Sequence, residues 1–494
     1  MSAAADESFD VVVVGGGGAG LAAAIEARTA GRSVLLIEKN PRLGGSTAWS
    51  IGSVSASATP HQIARGIEDC PADHWADMAL FAPELAARDN AALRRVLCDE
   101  MPATFRWLLE SGVRFFGPMP EPPHRKPRMH NVLPNSRAYI YHLERRARRA
   151  GVAIRLGTRA KRLMVEAGRV VGVACDDTRG ERRFRARGGV VLAAGDFTSG
   201  AELKARYIGD RAAKVEGVNP TATGDGQSLA LELGARIVNG DLALGPEIRF
   251  IPPTRPTLAQ RLPPWRALAG FMAWSLAHLP QALLRPFVME FVTTALAPSP
   301  SLFAQGALLV NKEGRRFCDE HGEPAYALPD QPEKIGYIVI DARLAAQFSA
   351  WPNFVSTAPG VAYAYVADYR RNRPDIYRAA NSLAELAQKL GMDPSRLEES
   401  VAASASALAT PPFAALGPVR AVFVHNEGGL MVDAEHRVLG AEDRPIPGLY
   451  AAGATGQGGL LLKGHGHHLA WAFVSGRRAG RNAAYEAVTA DLAR

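Results

Sequence analysis

A chain of 494 residues is too long for one hydrophobic core and is expected to divide into two or three domains. Hydrophobic residues at 47% and charged residues at 21% exclude disorder; the net charge of +8 comes from arginines scattered among alanines without the interleaved aromatics of a nucleic-acid binder, so an anionic membrane surface or an acidic partner is its compatible counterpart. The four cysteines, Cys70, Cys98, Cys175 and Cys318, stand too far apart for a C-x-x-C pair or for zinc or iron–sulfur spacing, which points to a reducing compartment and to no metal.

The N-terminal MSAAADESFD is acidic and has neither a basic nor an apolar signal region, so the expected location is cytoplasmic. Val11 to Val14 is an unbroken β-branched run, the pattern of a strand buried on both faces. Gly15, Gly17 and Gly20 then satisfy G-x-G-x-x-G, Leu21 to Ala30 reads as the helix opened by that loop, and Gly31 stops it. Val34 to Ile37 reads as the second parallel strand, and Glu38 at its end, about 20 residues past the glycines, is placed to accept hydrogen bonds from a ribose diol. A loop without β-carbons and a helix N-terminus together suit a pyrophosphate, so the ligand expected is a dinucleotide.

Arg42 to Ser57, RLGGSTAWSIGSVSAS, is a loop of small residues in which backbone and hydroxyls can crowd a flat ligand. Glu38, Gly44-Gly45-Ser46-Thr47 and the small residues after them resemble the FAD loop of the fumarate reductase and succinate dehydrogenase flavoproteins, a superfamily that includes soluble fumarate reductases and 3-ketosteroid Δ1-dehydrogenases. The resemblance implies FAD. Ser46 matches the position where membrane-bound members carry a flavin-tethering His, which implies a non-covalent cofactor.

Further along, Ala76 to Gly112 is patterned as helix, with Asp89 or Asn90 as a cap. Phe115 to Asn135, rich in proline and in basic residues, reads as an irregular loop. The helix Arg137 to Ala150 leads into Val152 to Leu156 and a hairpin-like pair, Ala160 to Val165 and Arg169 to Cys175. Gly189 to Gly195, Thr223 to Gly226 and Pro447 to Gly459 resemble later landmarks of the superfamily, in order over the whole chain. The fold class expected is α/β: a Rossmann-type FAD-binding domain over residues 1–241 and 419–494, with an inserted α+β capping (catalytic) domain over 242–418. By the resemblance, cofactor contacts fall on Gly15, Gly17, Ala19, Gly20, Glu38, Lys39, Gly45, Ser46, Thr47, Gly52, Ala160, Ala194, Gly195, Asp225, Gly453 and Leu469.

No second G-x-G-x-x-G occurs, so the electron partner expected is a quinone or carrier protein rather than NAD(P). Within the insert, the uncharged run between Arg266 and Arg285 is interrupted by His278, Pro280 and Gln281 and flanked by Trp265 and arginines. It reads as an interfacial or substrate-entry helix over 265–284 that would hold the protein peripherally on the inner face of a membrane, as an ordinary buried helix, or as a spanning helix.

The resemblance brings three stretches to the reaction centre: Asn311 to Tyr326, His425 to Val432 and Lys463 to Leu469. Fumarate reductases carry a proton-delivering arginine where Pro324 stands and a carboxylate-clamping arginine where His468 stands, so a C4 dicarboxylate is disfavoured. Ketosteroid dehydrogenases use two tyrosines; Tyr326 lies two residues past the first position and Leu462 occupies the second. Gly464 and Gly466 remain to offer N–H groups to a ketone oxygen, and His425 aligns with a substrate-binding His of the fumarate reductases. His130, in the basic loop, is a further substrate-binding candidate. A metal cluster of His465, His467 and His468 is set aside, because the alternating loop spacing has no carboxylate beside it. The expectation is an FAD-dependent enzyme working by hydride exchange with flavin N5 at a CH–CH bond next to a carbonyl of a bulky apolar, steroid-like or polycyclic ketone. Tyr326 and His468 would be acid/base and electrophile and His425 a substrate ligand, with an enoate reductase acting on a small acid as the alternative.

Overall fold

The structure is a computed structural model that describes residues 6–492 apart from 254–260, 281–284, 286–288, 290–292, 295, 359–361 and 405–407. Val11, Val12 and Val13 are fully buried at the centre of a sheet whose parallel strands run, in spatial order, Ala153–Arg155, Val34–Ile37, Glu7–Val14, Gly180–Leu192 and Pro445–Ala451. Arg437–Leu439 adds an antiparallel edge. The winding reverses between Glu7–Val14 and Gly180–Leu192, which opens a crevice at the carboxyl ends of those two strands, beside Gly15 and Ala193.

The helix Gly18–Thr29 and the last helix, His467–Leu492, cover one face of this sheet back to back. Their backbones touch: a Cβ added at Gly476 would lie 2.3 Å from the Ala19 carbonyl oxygen, and one at Gly480 2.1 Å from that of Ala23. The buried alanines Ala22, Ala23, Ala24 and Ala27 make such an approach possible.

A second core forms around Phe413–Phe423, which pairs with Glu216–Gly217, Glu247–Phe250, Gly336–Ile340 and Tyr377–Ala380, while Leu308–Asn311 continues the sheet beyond Gly336–Ile340. Glu216–Gly217 already belongs to the second sheet, and Phe413–Phe423 runs straight through 418. Gly417 and Pro418 look like breakers in the sequence, but here they sit where the register against Gly336–Ile340 shifts, so the strand absorbs them as an irregularity.

Three other segments differ from expectation or refine it. Phe115 to Asn135 is largely a hairpin, Arg114–Met119 with Met129–Leu133, completed by Ser53–Ser55; Phe115, Met129 and Val132 are buried, and the prolines that suggested a loop cluster mainly in the connection. The helix expected over Ala76 to Gly112 is broken by Pro83: Pro71–Met78 ends early and Ala91–Ser111 starts afresh, Asn90 Oδ1 accepting from Leu93 N at 3.1 Å as its cap. Arg266–His278 is a helix packed beside Arg114–Met119, with Trp265, Phe271 and Trp274 respectively 61%, 63% and 52% exposed. The expected helix beyond Pro280 falls on 281–284, outside the described residues. Among the described residues no helix is long and apolar enough to cross a membrane.

Candidate active site

The glycine loop lies in the crevice where the winding reverses. Gly16 N donates to Glu38 Oε2 at 2.7 Å, and Glu38 Oε1 accepts from Asn40 N and Nδ2, both at 2.8 Å, so the acid expected at a ribose also braces the loop. Gly18 N donates to Thr47 Oγ1 at 3.1 Å, and Asn219 Nδ2 to Ser46 Oγ at 2.9 Å, which pins the Gly45–Trp49 turn over the loop. Lys39 Nζ bonds Thr223 Oγ1 at 2.7 Å and Asp225 Oδ2 at 3.0 Å, while Arg159, next to buried Ala160, takes the other Asp225 oxygen at 3.1 Å.

On the same helix as Asp225, Gln227 Nε2 donates to the carbonyl of Gly195, the residue after Ala194, at 2.9 Å, as does Thr455 Oγ1 at 2.9 Å; Gly453 N donates to Ser475 Oγ at 2.8 Å; and Leu469 lies half-buried in the first turn of the last helix. Gly52 is held differently, with its carbonyl taken by Tyr139 OH at 2.8 Å and Val132 N at 3.2 Å, on the side of the small sheet.

Beside the start of the last helix, His425 and His468 lie against each other, ring centroids 4.0 Å apart, and both face Glu427. Glu427 Oε1 is 3.7 Å from His425 Nε2, 3.6 Å from His468 Nε2 and 3.9 Å from Lys463 Nζ, and its side chain is 0% exposed. Its other oxygen is anchored by Gln457 Nε2 at 2.5 Å and Leu462 N at 3.1 Å. Glu427 Oε1 and His468 Nε2 have no hydrogen-bond partner among the described residues. Burial works to raise the Glu427 pKa, but the two histidines outweigh it and hold the carboxyl well below the usual range. Burial, then the neighbouring His468, pushes the His425 imidazole down to about 4. The group is therefore a buried carboxylate flanked by two imidazoles, an arrangement that can orient a ring and hold a proton on it.

The FAD binding domain family matches residues 10–261 and 266–461. The chain belongs to this FAD-binding family. The flavoprotein is 28% identical over 480 residues to the NADH:fumarate oxidoreductase of Klebsiella pneumoniae, covering 91% of this chain and 44% of that protein, so it spans less than half the length of that relative. The structure of the open conformation of a flavocytochrome c3 fumarate reductase superposes with a TM-score of 0.72 at 24% identity, over 98% of this chain and 79% of that one. The 3-ketosteroid-Δ4-(5α)-dehydrogenase of Rhodococcus jostii shares the fold with a TM-score of 0.59 at 23% identity, over 97% of both chains.

The crevice of the flavoprotein fits FAD. A Cβ at Gly17 would meet no protein atom closer than 3.8 Å, so packing does not explain this glycine, and the space in front of it suits a pyrophosphate. Gln227 Oε1 is buried without a partner near Gly195. The loop from Gly15 to Gly20 would hold the pyrophosphate, Glu38 the adenosine ribose, and Ser46, Thr47, Gly195 and Gly453 the rest of the cofactor.

Two catalytic or binding expectations are redirected. Tyr326 sits on Pro324–Ala327 with its ring under the Arg211 guanidinium at 4.5 Å, and its charged neighbours are Arg211 and Glu323 rather than the histidine pair; proline at the helix start turns the tyrosine toward the second core. His130 is fully buried, Nδ1 against the Arg128 carbonyl at 2.7 Å and Nε2 against Thr59 Oγ1 at 3.1 Å, so neither nitrogen is left for a substrate. Gly464 lies against Phe81 and Gly466 against Ser53–Ser55. His465 is drawn to Glu121 by a 2.5 Å bond that raises its pKa, and His467 turns away into a separate buried group. Glu427 was not among the sequence candidates; its signal is an acid set between His425 and Gly428-Gly429.

Proposed function

We propose that the flavoprotein is an FAD-dependent oxidoreductase acting on a carbon–carbon bond next to the carbonyl of a bulky apolar substrate, a steroid-like or polycyclic ketone. The observation that carries this reading is Glu427. Where resemblance places the carboxylate-clamping arginine of fumarate reductases, this chain has His468, with a buried carboxylate 3.6 Å behind it. A dicarboxylate brought there would face an anion in a site of low polarity, and it would lack the charge-assisted contacts, worth about 1.5–3 kcal/mol each, that a guanidinium supplies. A ketone needs only neutral donors.

FAD, when bound, supplies the hydride chemistry. The chain's residues supply position and a proton. Glu427, fixed through Oε2, faces the Nε2 atoms of His468 and His425; His468 exchanges the substrate proton, and His425, kept neutral near pH 7, contacts the substrate. The N–H groups of Gly464 and Gly466 receive the ketone oxygen as charge develops on it. The external electron partner is a quinone or a carrier protein. Trp265, Phe271 and Trp274, flanked by Arg266 and Arg261, form a peripheral membrane contact on the cytoplasmic side.

The second reading is an enoate reductase for a small acid. The name of the Klebsiella relative favours it, as does Lys463, a cation 3.9 Å from Glu427 that could swing toward a single carboxylate. Anaerobic titration separates the two. Reduced holoenzyme should be reoxidised by a cyclic enone, and slowly or not at all by fumarate or acrylate. Rapid reoxidation by micromolar fumarate would overturn the ketone reading. Glu427→Gln should lower turnover with the enone by about 10²- to 10³-fold while FAD content stays unchanged; unchanged turnover would remove Glu427 from the mechanism.

A further inference from the structure

We propose that His74, His124 and His467 form a binding site for a divalent transition metal, zinc foremost, apart from the Glu427 group. Three stretches distant in sequence meet there: the helix Pro71–Met78, the connection between Arg114–Met119 and Met129–Leu133, and the first residue of the last helix. The three ring centroids form a nearly equilateral triangle, 5.2, 5.3 and 5.5 Å on a side, and the residues are 0%, 7% and 0% exposed in sequence order. A ligating nitrogen from each ring lies within 4.8 Å of the others.

The nitrogens fit that role. His74 Nε2 and His467 Nε2 are 3.3 Å apart, the edge of a tetrahedron whose metal–nitrogen bonds are about 2.0–2.1 Å. His467 Nδ1 donates to the Lys463 carbonyl at 2.6 Å, which puts the proton on Nδ1, leaves the Nε2 lone pair facing His74, and fixes the ring as outer hydrogen bonds fix metal-bound histidines. His124 Nδ1 accepts from Arg128 Nη1 at 2.9 Å, so its uncommitted nitrogen is Nε2. His124 Nε2 and His74 Nδ1 are buried without partners among the described residues. A buried unpaired nitrogen costs about 1–3 kcal/mol, an expense that a bare packing role leaves unrecovered.

Charge does not oppose a cation here. Arg128, the guanidinium beside the rings, is already matched by Asp69 at 2.7 Å and Asp77 at 2.5 Å. Nearby Glu121 is bonded to His465 through Oε1 and stands outside the group of three histidines. On binding, the His74 proton moves to Nδ1. His124 ligates through Nε2 once its proton has moved from there to Nδ1, which releases the Arg128 Nη1 bond and leaves that guanidinium on Asp69 and Asp77.

Metal analysis of the purified holoenzyme, and Co²⁺ titration of chelator-treated holoenzyme followed by visible absorption, test the site. One equivalent of zinc, or of cobalt with d–d bands of tetrahedral or five-coordinate type, is expected. His74→Ala and His124→Ala should each weaken Co²⁺ binding by about 100-fold or more, whereas Glu427→Gln should keep it. FAD content and circular dichroism identify any variant that fails to fold. For these, the wild-type readout decides: Zn²⁺ should raise the melting temperature of the chelator-treated protein. The proposal is overturned if the wild type holds no metal, shows no cobalt bands and no zinc-dependent shift, or if His124→Ala binds normally while Glu427→Gln does not.

Discussion

The α-carbon of Gly20 stands so close to the Gly15 carbonyl that a methyl group on it would come within 1.8 Å of that oxygen. Gly17, three residues earlier, meets no such obstacle and has an extended backbone, φ −82° and ψ −170°, that alanine adopts readily. The two glycines therefore serve different ends, and their alanine variants should separate. Gly20→Ala should yield little folded protein. Gly17→Ala should fold with apo stability within about 1 kcal/mol of wild type yet lose FAD, because its methyl group occupies the pyrophosphate's place. Far-UV circular dichroism with flavin content checks the pair; a yellow Gly17→Ala protein would place the cofactor elsewhere.

Ser46 offers no ring nitrogen to a flavin methyl group, and its hydroxyl accepts from Asn219 Nδ2 at 2.9 Å. Acid precipitation of the holoprotein should release all of the yellow colour to the supernatant. Colour retained in the pellet would mean a covalent link through another residue.

His130 and His436 are fully buried, and burial pushes each imidazole down to about 3. The unfolded chain binds a proton at each near pH 6.5, which the folded chain refuses until pH falls to about 3. Their stabilisation is thus complete above pH 6.5 and is lost as pH falls from 6.5 toward 3, at about 1.4 kcal/mol per pH unit for each ring. Urea midpoints measured at pH 7.5, 6 and 5 should fall accordingly. His436→Asn, which suits the positive φ of 66° at that position, should flatten the slope by one ring's share. A slope equal to wild type would show that His436 is not held neutral.

The exposed aromatic face of Arg266–His278 predicts sedimentation with vesicles containing anionic lipid. Replacing Trp265, Phe271 and Trp274 together by Ser should reduce the bound fraction by about tenfold or more, since each ring gives up roughly 1.5–3 kcal/mol of apolar burial. High salt alone should release only part of the bound protein. Unchanged binding by the triple variant would show that the helix does not dock there.

The cofactor half of the molecule can be read from the sequence because its determinants are local: Val11 to Val14, the three glycines and Glu38 lie within one strand–helix–strand unit. Glu427 is opaque for the opposite reason. Its neighbours Gln457, Lys463 and His468 follow it by 30 to 41 residues, and only the folded chain reveals that they enclose it. His74 and His124 carry no motif, and they acquire a shared environment only when the last helix docks. Prolines mislead at Phe115 to Asn135, because pairing with neighbouring strands overrides local breaker signals. Tyr326 misleads through its nearness to a family pattern, whereas two residues of displacement on a short helix aim the ring at Arg211.

The contact of Gly476 and Gly480 with Ala19 and Ala23 joins two helices far apart in the chain. The helix behind the glycine loop emerges from the ribosome more than 400 residues before the one that covers it, a delay on the order of tens of seconds at cellular rates of translation. Throughout that interval its alanine face has no lid, and the crevice lacks the residues that follow Pro445. A nascent chain halted before Gly476 should therefore be a client for chaperones and not a flavin binder, and coenzyme capture waits for the helix His467–Leu492.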